Sequence, residues 1–225
     1  MNIAIDCTFF GHEEARTKKL SLSTSIFTAD ILDAFASLGL SGNFTLLVNY
    51  NHEHFFRERF PQFKLKVLHF FPLSLAYHLT GGRFKGTKYL KKLGIFKRAV
   101  EHGDFSAVWF PYCVDYTFVK TKLPALCTIH DIYPVHRSGK TGWDFITDKK
   151  CMLTTVSEYT KNDIITTFAL GSERAELITK IPNSIVFDVS KQKEIKELAG
   201  KKYILDLNAY IEKKNPLTLL RAFSL

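Results

Sequence analysis

Short apolar segments that alternate with helix-like segments are the feature of this sequence that most constrains its fold. The apolar segments occupy residues 2–7, 43–49, 63–70, 105–110, 124–131, 151–156 and 175–182. Most are nearly continuous apolar runs, which is typical of strands buried on both faces. Alternation of such strands with helices, for example the helix predicted at 23–39 with Gly39 as its stop, predicts a Rossmann-like, doubly wound parallel α/β sheet.

Ligands of a doubly wound sheet bind outside the carboxyl ends of its strands. The residues that directly follow the predicted strands are therefore the first candidates for a site, and we expect Gly11, Asp131, Tyr133 and Ser157 at this rim. Ser157 precedes a helix predicted to run from Glu158 to a stop at Gly171. A serine at this position is typical of an N-cap, and the same helix start could also receive an anionic ligand.

The positive charge of the chain is concentrated in one segment. The formal net charge is +9, and residues 83–98 carry seven basic residues and no acidic one. Tyr89, Leu93, Phe96 and Val100 recur in this region at helical spacing, which predicts a basic amphipathic helix. Such a helix is either an ordinary surface helix or a contact with an anionic membrane face.

In the membrane interpretation, the lysines that face the lipid headgroups are Lys88, Lys91 and Lys92. Zinc-finger spacing and RNP-like aromatic motifs do not occur in the sequence, so we expect no nucleic-acid partner.

The cysteines and the N-terminus point to a folded protein of a reducing compartment. The four cysteines lack CxxC or other metal-ligand spacing, and most lie in apolar strand-like segments. We therefore predict buried free thiols in the cytoplasm. The sequence opens MNIAIDCTFF, without a basic region or a long apolar core, so no signal peptide is predicted.

The pattern restarts near the end of the sequence. Residues 1–181 form the first predicted domain, and 182–200 are predicted to be a linker. Residues 201–225 contain a strand-like run followed by a helix that begins at Asn215 or Pro216. Because one strand–helix unit cannot bury its own apolar face, we expect 201–225 to be the truncated start of a second domain.

Four segments together resemble the family 4 glycosyltransferases of the GT-B fold. They are TIHDIYP at 128–134, TVSEYTKNDI at 155–164, IPNSI at 181–185, and YILDLNAYIEKKNPLTLLRAF at 203–223. The resemblance implies two Rossmann-like domains, of which this chain would hold the N-terminal, acceptor-side one. It also implies transfer of a hexose from a nucleotide-sugar donor, without metal or other cofactor, to a glycan or lipid-linked acceptor in cell-surface polysaccharide synthesis.

The resemblance assigns roles to individual residues. His130 matches the family histidine that closes on the donor sugar, where an imidazole can bind sugar hydroxyls or developing charge. The alternative is that His130 only ties two loops together, with Asp131 capping the following turn. Lys214 matches the family lysine that holds the donor diphosphate, and Lys213 beside it could share this role.

The sequence departs from the family pattern in three places. Ala209 stands where the family usually has a second cationic residue, an arginine. The first loop has Gly11 as its single glycine and a mixed-charge stretch that includes Glu14, which predicts a mobile, solvated loop with a role at most in acceptor contact. The paired acidic motif of the donor domain is absent, so we expect the 225 residues alone to be inactive.

Two other functions remain open at the level of sequence. A non-catalytic, transferase-like binding module would use the apolar residues of 217–225 as an interface. A metal-dependent hydrolase would use His130, Asp131 and His136, whose side chains metals accept as ligands. A nicotinamide-dependent enzyme is disfavoured because no GxGxxG motif follows the first strand.

Overall fold

The structure is a computed structural model. It describes residues 1–11, 14, 17–20, 22–69, 91, 93–115, 117–181, 200 and 216–223. The chain divides into two compact units, Met1–Asn183 and Ser184–Leu225. None of the helices within the described ranges is long and apolar enough to cross a bilayer.

The described part of the first unit alternates strands and helices along most of its length. In chain order the elements are β1 (Ile3–Asp6), α1 (Ser23–Ser37), β2 (Phe44–Asn49), α2 (Glu53–Arg59), β3 (Lys64–Leu68), α3 (Ile95–Glu101), β4 (Ala107–Phe110), β5 (Ala125–Ile129), α4 (Tyr133–Ser138), β6 (Cys151–Thr155), α5 (Glu158–Phe168), α6 (Ser172–Glu176) and β7 (Thr179–Lys180). Short 3₁₀ turns lie at Ser41–Asn43, Tyr50–His52 and Asp144–Ile146.

All seven strands pair in parallel, in the order β3-β2-β1-β4-β5-β6-β7. This is the strand order of a Rossmann-like fold, and it confirms the predicted doubly wound α/β sheet. β1 pairs with β2 on one side and with β4 on the other. The order therefore reverses between β1 and β4, and the loops after these two strands border the switch point where such folds form their crevice.

Separate apolar clusters cover the two faces of the sheet. On one face α1 and α2 bury side chains such as Leu32 and Phe56 against β2. On the other face α3 and α5 bury Phe96, Val100 and Ile164. The inner strands β1, β2 and β5 are buried on both faces, which is the physical reason that their sequences are apolar runs rather than alternating patterns. The edge strands β3 and β7 are more exposed.

A chain of polar side chains crosses the core between three adjacent strands. The indole Nε1 of Trp109 in β4 donates to Oγ1 of Thr128 in β5 at 2.9 Å. The Thr128 hydroxyl in turn lies 2.8 Å from the Thr154 hydroxyl in β6. Buried polar groups are costly without partners, so these hydrogen bonds favour the observed register of the three strands.

The four cysteines are buried free thiols, as predicted. Burial raises the pKa of the Cys7 and Cys127 thiols well above the ordinary value, because it disfavours the thiolate. These thiols are therefore packed core side chains and not reactive nucleophiles.

The predicted basic helix differs from the structure in its length. Gly94 has a left-handed backbone with φ of 71°, and α3 begins only at Ile95. The prediction of one continuous helix from Leu93 to Val100 was therefore wrong, since the left-handed Gly94 precedes the start of α3. Phe96 and Val100 still share a buried face, as their spacing predicts.

The end of α5 also differs from the prediction. The helix ends at Phe168, and Ala169 takes the left-handed conformation that a glycine usually supplies. Gly171 instead precedes the short helix α6, so the predicted stop at Gly171 was wrong. Within the described part of the predicted strand 175–182, Thr179 and Lys180 form β7, and Ile181 donates its backbone N–H to the backbone oxygen of Thr155 in β6.

The described part of the second unit is one helix, α7 (Pro216–Phe223), apart from Gly200. It begins at Pro216, as predicted, because proline suits the first turn of a helix. The strand predicted at 203–208 lies outside the described residues.

Candidate functional site at the carboxyl edge of the sheet

The loops that follow β1, β4, β5 and β6 meet around one histidine. Nε2 of His130, the first residue after β5, lies 3.0 Å from the carbonyl oxygen of Pro111, the first residue after β4. The backbone oxygen of His130 accepts a hydrogen bond from Oγ1 of Thr160 in the first turn of α5, at 3.1 Å. His130 is thus fixed from two sides, and the predicted bond between loops exists.

The hydrogen bond to Pro111 determines the tautomer of His130. A carbonyl oxygen only accepts, so Nε2 must carry a proton and donate it. Burial lowers the pKa of His130 below its ordinary value, because desolvation disfavours the imidazolium. In the resulting neutral ring Nδ1 is an acceptor, and it has no hydrogen-bond partner among the residues that the structure describes.

Aromatic rings surround the His130 imidazole. Phe27 of α1 meets it edge-on, with ring centroids 4.9 Å apart, and Tyr112 meets it at 6.0 Å. Tyr112 also contacts Phe9, in the loop after β1, at 5.6 Å. We call Phe9, Phe27, Tyr112 and His130 the aromatic wall. It joins the loops on both sides of the switch point into one surface.

Ser157 is the N-cap of α5, as the sequence predicts. Its backbone is extended, and its Oγ accepts from the backbone N–H of Thr160 at 3.1 Å. The Ser157 hydroxyl also lies 2.9 Å from the Thr160 hydroxyl, which donates to the backbone oxygen of His130. The cap therefore supports the position of His130 as well as the start of the helix.

Asp131 and Tyr133 form the turn that follows His130. Oδ1 of Asp131 accepts from the backbone N–H of Tyr133 at 3.2 Å, which is the capping contact predicted for it. The Tyr133 side chain is 57% exposed and lies at the first position of α4. Tyr133 is therefore available at the rim for contact with a ligand.

The loop after β1 is anchored by a buried glutamate. Gly11 donates its backbone N–H to Oε2 of Glu14 at 2.9 Å, and Ser25 donates its hydroxyl to the same oxygen at 2.8 Å. Oε1 of Glu14 accepts from the backbone N–H of Leu22 at 2.8 Å. Glu14 is 1% exposed, so the expectation of a solvated loop was wrong at this residue.

A buried ion pair lies at the switch point between β1 and β4. Nζ of Lys91 is 2.5 Å from Oδ2 of Asp6, the last residue of β1. Thr8 donates its N–H and its hydroxyl to Oδ1 of Asp6 at 3.0 and 2.7 Å. Lys91 also donates to the backbone oxygen of Thr117 and lies over the ring of Phe96.

The position of Lys91 corrects its predicted role. Its side chain is 6% exposed and that of Asp6 is fully buried, so Lys91 does not face a membrane. A cation in this apolar setting requires a partner, and Asp6 supplies it. The other lysines of the predicted membrane contact, Lys88 and Lys92, lie outside the described residues.

The metal-site interpretation gains no support from the geometry. Nε2 of His136 pairs with Asp163 of α5 at 2.9 Å, and this contact joins α4 to α5. Within the described ranges no three histidine, cysteine, aspartate or glutamate side chains are grouped so that they could hold a metal ion. His130, Asp131 and His136 therefore do not form the shared site that a metal-dependent hydrolase would need.

The predicted donor-binding residues Lys213 and Lys214 lie outside the described residues, as does Ala209. The structure thus brings together the rim residues of the first unit only. Sequence reasoning missed Asp6, Glu14, Phe27 and Thr160. For Asp6 a signal was present, since a carboxylate at the end of an apolar strand requires a buried partner.

Comparison of the chain with family models, with curated proteins and with solved structures gives no match. The fold and the geometry of the carboxyl edge are therefore the basis for a functional proposal, together with the motif order described above.

Proposed function

We propose that this chain is the acceptor-side part of a family 4-like glycosyltransferase. The reaction is transfer of a hexose from a nucleotide-sugar donor to a glycan or lipid-linked acceptor, in cytoplasmic synthesis of a cell-surface polysaccharide. The parallel sheet of Rossmann-like order supports this proposal because both halves of a GT-B enzyme have that fold. The site supports it more specifically.

The observation that carries the proposal is the state of His130. Its Nε2–H is used by Pro111, its ring is held neutral, and Nδ1 is left as an acceptor beside the aromatic wall. A neutral acceptor fixed in one orientation suits the hydroxyl group of a sugar. The resemblance gives His130 a contact with the donor sugar, and this proposal extends that role to the acceptor. His130 accepts from a hydroxyl of the acceptor sugar and positions its ring, and Tyr112 and Phe27 exclude water from one side.

The donor half of the reaction is assigned to the second unit. Lys214, with Lys213, would neutralise the charge that grows on the departing diphosphate. Because these 225 residues do not include the paired acidic motif that the resemblance implies for donor binding, we expect them to bind acceptor without transferring sugar. Glycosyl transfer by the 225 residues alone would contradict this part of the proposal.

The test is glycan binding by wild-type protein and by His130→Gln, measured on a glycan array and then by titration calorimetry. Glutamine reproduces the Nε2 donor to Pro111 but has no acceptor at the position of Nδ1. We expect His130→Gln to keep the fold and to weaken binding about tenfold, the effect of one lost hydrogen bond in a desolvated site.

His130→Asn is the matched control. It places an amide oxygen near the position of Nδ1 and gives up the Pro111 bond, so it should retain more glycan affinity than His130→Gln despite a larger loss of stability. Equal binding by wild type and both variants, or the absence of glycan binding by wild type, would overturn the proposal.

A further inference from the structure

A cavity of about 620 Å³ lies between the edge strand β3 and helix α3. Leu68, Ile95 and Ala99 form much of its apolar lining, and Leu93 stands at its border with 55% exposure. This volume is in the range of pockets that hold small organic ligands, roughly 300–1,000 Å³. β3 is separated from β5 by three strands, which puts the cavity roughly 19 Å from the His130 strand at about 4.8 Å per interval.

The polar lining of the cavity is basic. Lys66 of β3 and Arg98 of α3 project into it, and the imidazoles of His69 and His102 complete the polar part. Arg98 belongs to α3 and His102 directly follows the helix, and both line the cavity. The lining residues that the structure describes include no aspartate or glutamate.

Lys66 and Arg98 have no carboxylate partner among the residues that the structure describes. Nζ of Lys66 donates to the backbone oxygen of Ala99 at 2.9 Å, and an ammonium group has three donors, so two remain. Lys66 and Arg98 form no ion pair within the described part of the chain. Lys97 differs from its neighbour Arg98, since its Nζ lies 4.0 Å from Glu101.

The part of the sequence that contains β3 and most of α3 is strongly basic. Residues 59–100 include ten lysine and arginine residues and no aspartate or glutamate, whereas the net charge of the chain is +9. β3 and all but the last residue of α3 belong to this stretch. Lys66 and Arg98, which line the cavity, attract anions toward it, and this attraction weakens as salt rises.

We propose that this cavity is a binding site for a phosphoryl group carried on an apolar body. Arg98 and Lys66 bind the phosphoryl oxygens, for which guanidinium and ammonium donors are well suited. Leu68, Ile95 and Leu93 contact the apolar part. The phosphoryl group belongs either to a free small molecule or to a lipid headgroup. The site is independent of the proposed glycosyl transfer.

The first experiment titrates the 225-residue protein with hexyl phosphate, inorganic phosphate and hexanol by calorimetry. We expect hexyl phosphate to bind more tightly than either of the other two, since it alone presents both parts. Arg98→Gln should weaken its binding about tenfold through the loss of charge-assisted hydrogen bonds. Lys97→Gln removes the same charge from the next residue and should change the affinity less than twofold.

The second arm measures sedimentation with phosphatidylcholine vesicles that contain or lack phosphatidic acid. Loss of vesicle binding in Arg98→Gln but not in Lys97→Gln, without binding of hexyl phosphate, would assign the phosphoryl group to a lipid. Binding of hexyl phosphate that depends on Arg98 would assign it to a free molecule. Equal effects of the two variants in both arms, or no binding in either arm, would overturn the site. Sugar binding at His130 does not enter either measurement.

Discussion

Two strand-to-helix junctions border the candidate site, and they are stabilised in opposite ways. At the β6–α5 junction the N-cap is local, because Ser157 accepts from the backbone N–H three residues further on. At the β1–α1 junction Leu22 precedes the helix and makes no side-chain cap. Glu14 replaces the cap, with one oxygen on the Leu22 N–H and the other on the Ser25 hydroxyl and the Gly11 N–H.

The comparison shows which stabilising contacts of a strand-to-helix junction can be predicted from the sequence. A serine directly before an amphipathic helix predicts its own contact. A glutamate in a charged loop looks like a solvated side chain until folding brings Gly11, Leu22 and Ser25 around it. The β1–α1 junction also has Asp6, whose partner Lys91 is 85 residues away in the chain. We therefore expect substitutions at the β1–α1 junction to lower the free energy of unfolding more than substitutions at the β6–α5 junction.

The largest effect is expected for Asp6→Asn. The amide keeps the shape of the carboxylate but leaves the buried ammonium of Lys91 without a counter-charge. The free energy of unfolding should fall by about 3–5 kcal/mol, measured by urea denaturation. The double variant Asp6→Asn with Lys91→Met removes both charges and should recover part of the loss. If the losses measured for Asp6→Asn and Lys91→Met alone add up in the double variant, the two residues are not a coupled pair.

A smaller loss is expected for Glu14→Gln. The amide nitrogen of glutamine cannot accept the hydrogen bonds that the carboxylate oxygen accepts, so a buried donor loses its partner. The cost in unfolding free energy should be about 1–3 kcal/mol. Glu53→Gln is the control, because Glu53 forms a surface pair with Arg57 and should cost below about 1 kcal/mol. Similar costs for both variants would argue against the anchoring role of Glu14.

Ser157→Ala should destabilise the protein by about 1 kcal/mol through loss of the cap, as measured by thermal unfolding. Ser157→Asp keeps an acceptor at the cap and should remain close to wild type. Equal stability of Ser157→Ala and Ser157→Asp in thermal unfolding would show that the β6–α5 junction does not depend on a local cap. The proposed difference between the two junctions would then be wrong.

The smallest effect is a pH dependence at His130. Its folded pKa lies below the unfolded value, so the unfolded state takes up a proton first as the pH falls. The contribution of the neutral His130 ring to the free energy of unfolding is fully present above the unfolded pKa of about 6.5, and it is lost as the pH falls through the folded pKa. Urea denaturation between pH 7.5 and pH 5 should show a decline in wild type that is shallower in His130→Gln, limited to about 1.4 kcal/mol per pH unit. Parallel curves would contradict the neutral, buried imidazole.

The fold was predictable because strands that are buried on both faces have short, nearly continuous apolar sequences. The inner strands β1, β2, β4, β5 and β6 coincide with apolar runs of the sequence, and the parallel order follows from alternation with helices. The errors occur where backbone conformation breaks the pattern. Gly94 interrupts a regular helical stripe, and Ala169 takes a left-handed conformation that no alanine predicts.

The candidate site was predictable only where its contacts are local. The capping roles of Ser157 and Asp131 are contacts within three residues and could be inferred from residue type. The contact between His130 and Pro111, the aromatic wall, and the Asp6–Lys91 pair each join residues from different loops. Their partners become known only when the order of the strands is known.

The hydrogen bond between Trp109 and Thr128 gives the protein an intrinsic optical probe. The sequence has two tryptophans, and Trp109 is 4% exposed. Its indole N–H donates to the hydroxyl of Thr128, which lies two residues before His130 in the chain. Indole emission depends on the polarity and hydrogen bonding of its surroundings. With Trp143→Phe the remaining emission would come from Trp109 alone. Ligand-induced movements at the carboxyl edge could then be followed by fluorescence in real time, without a chemical label.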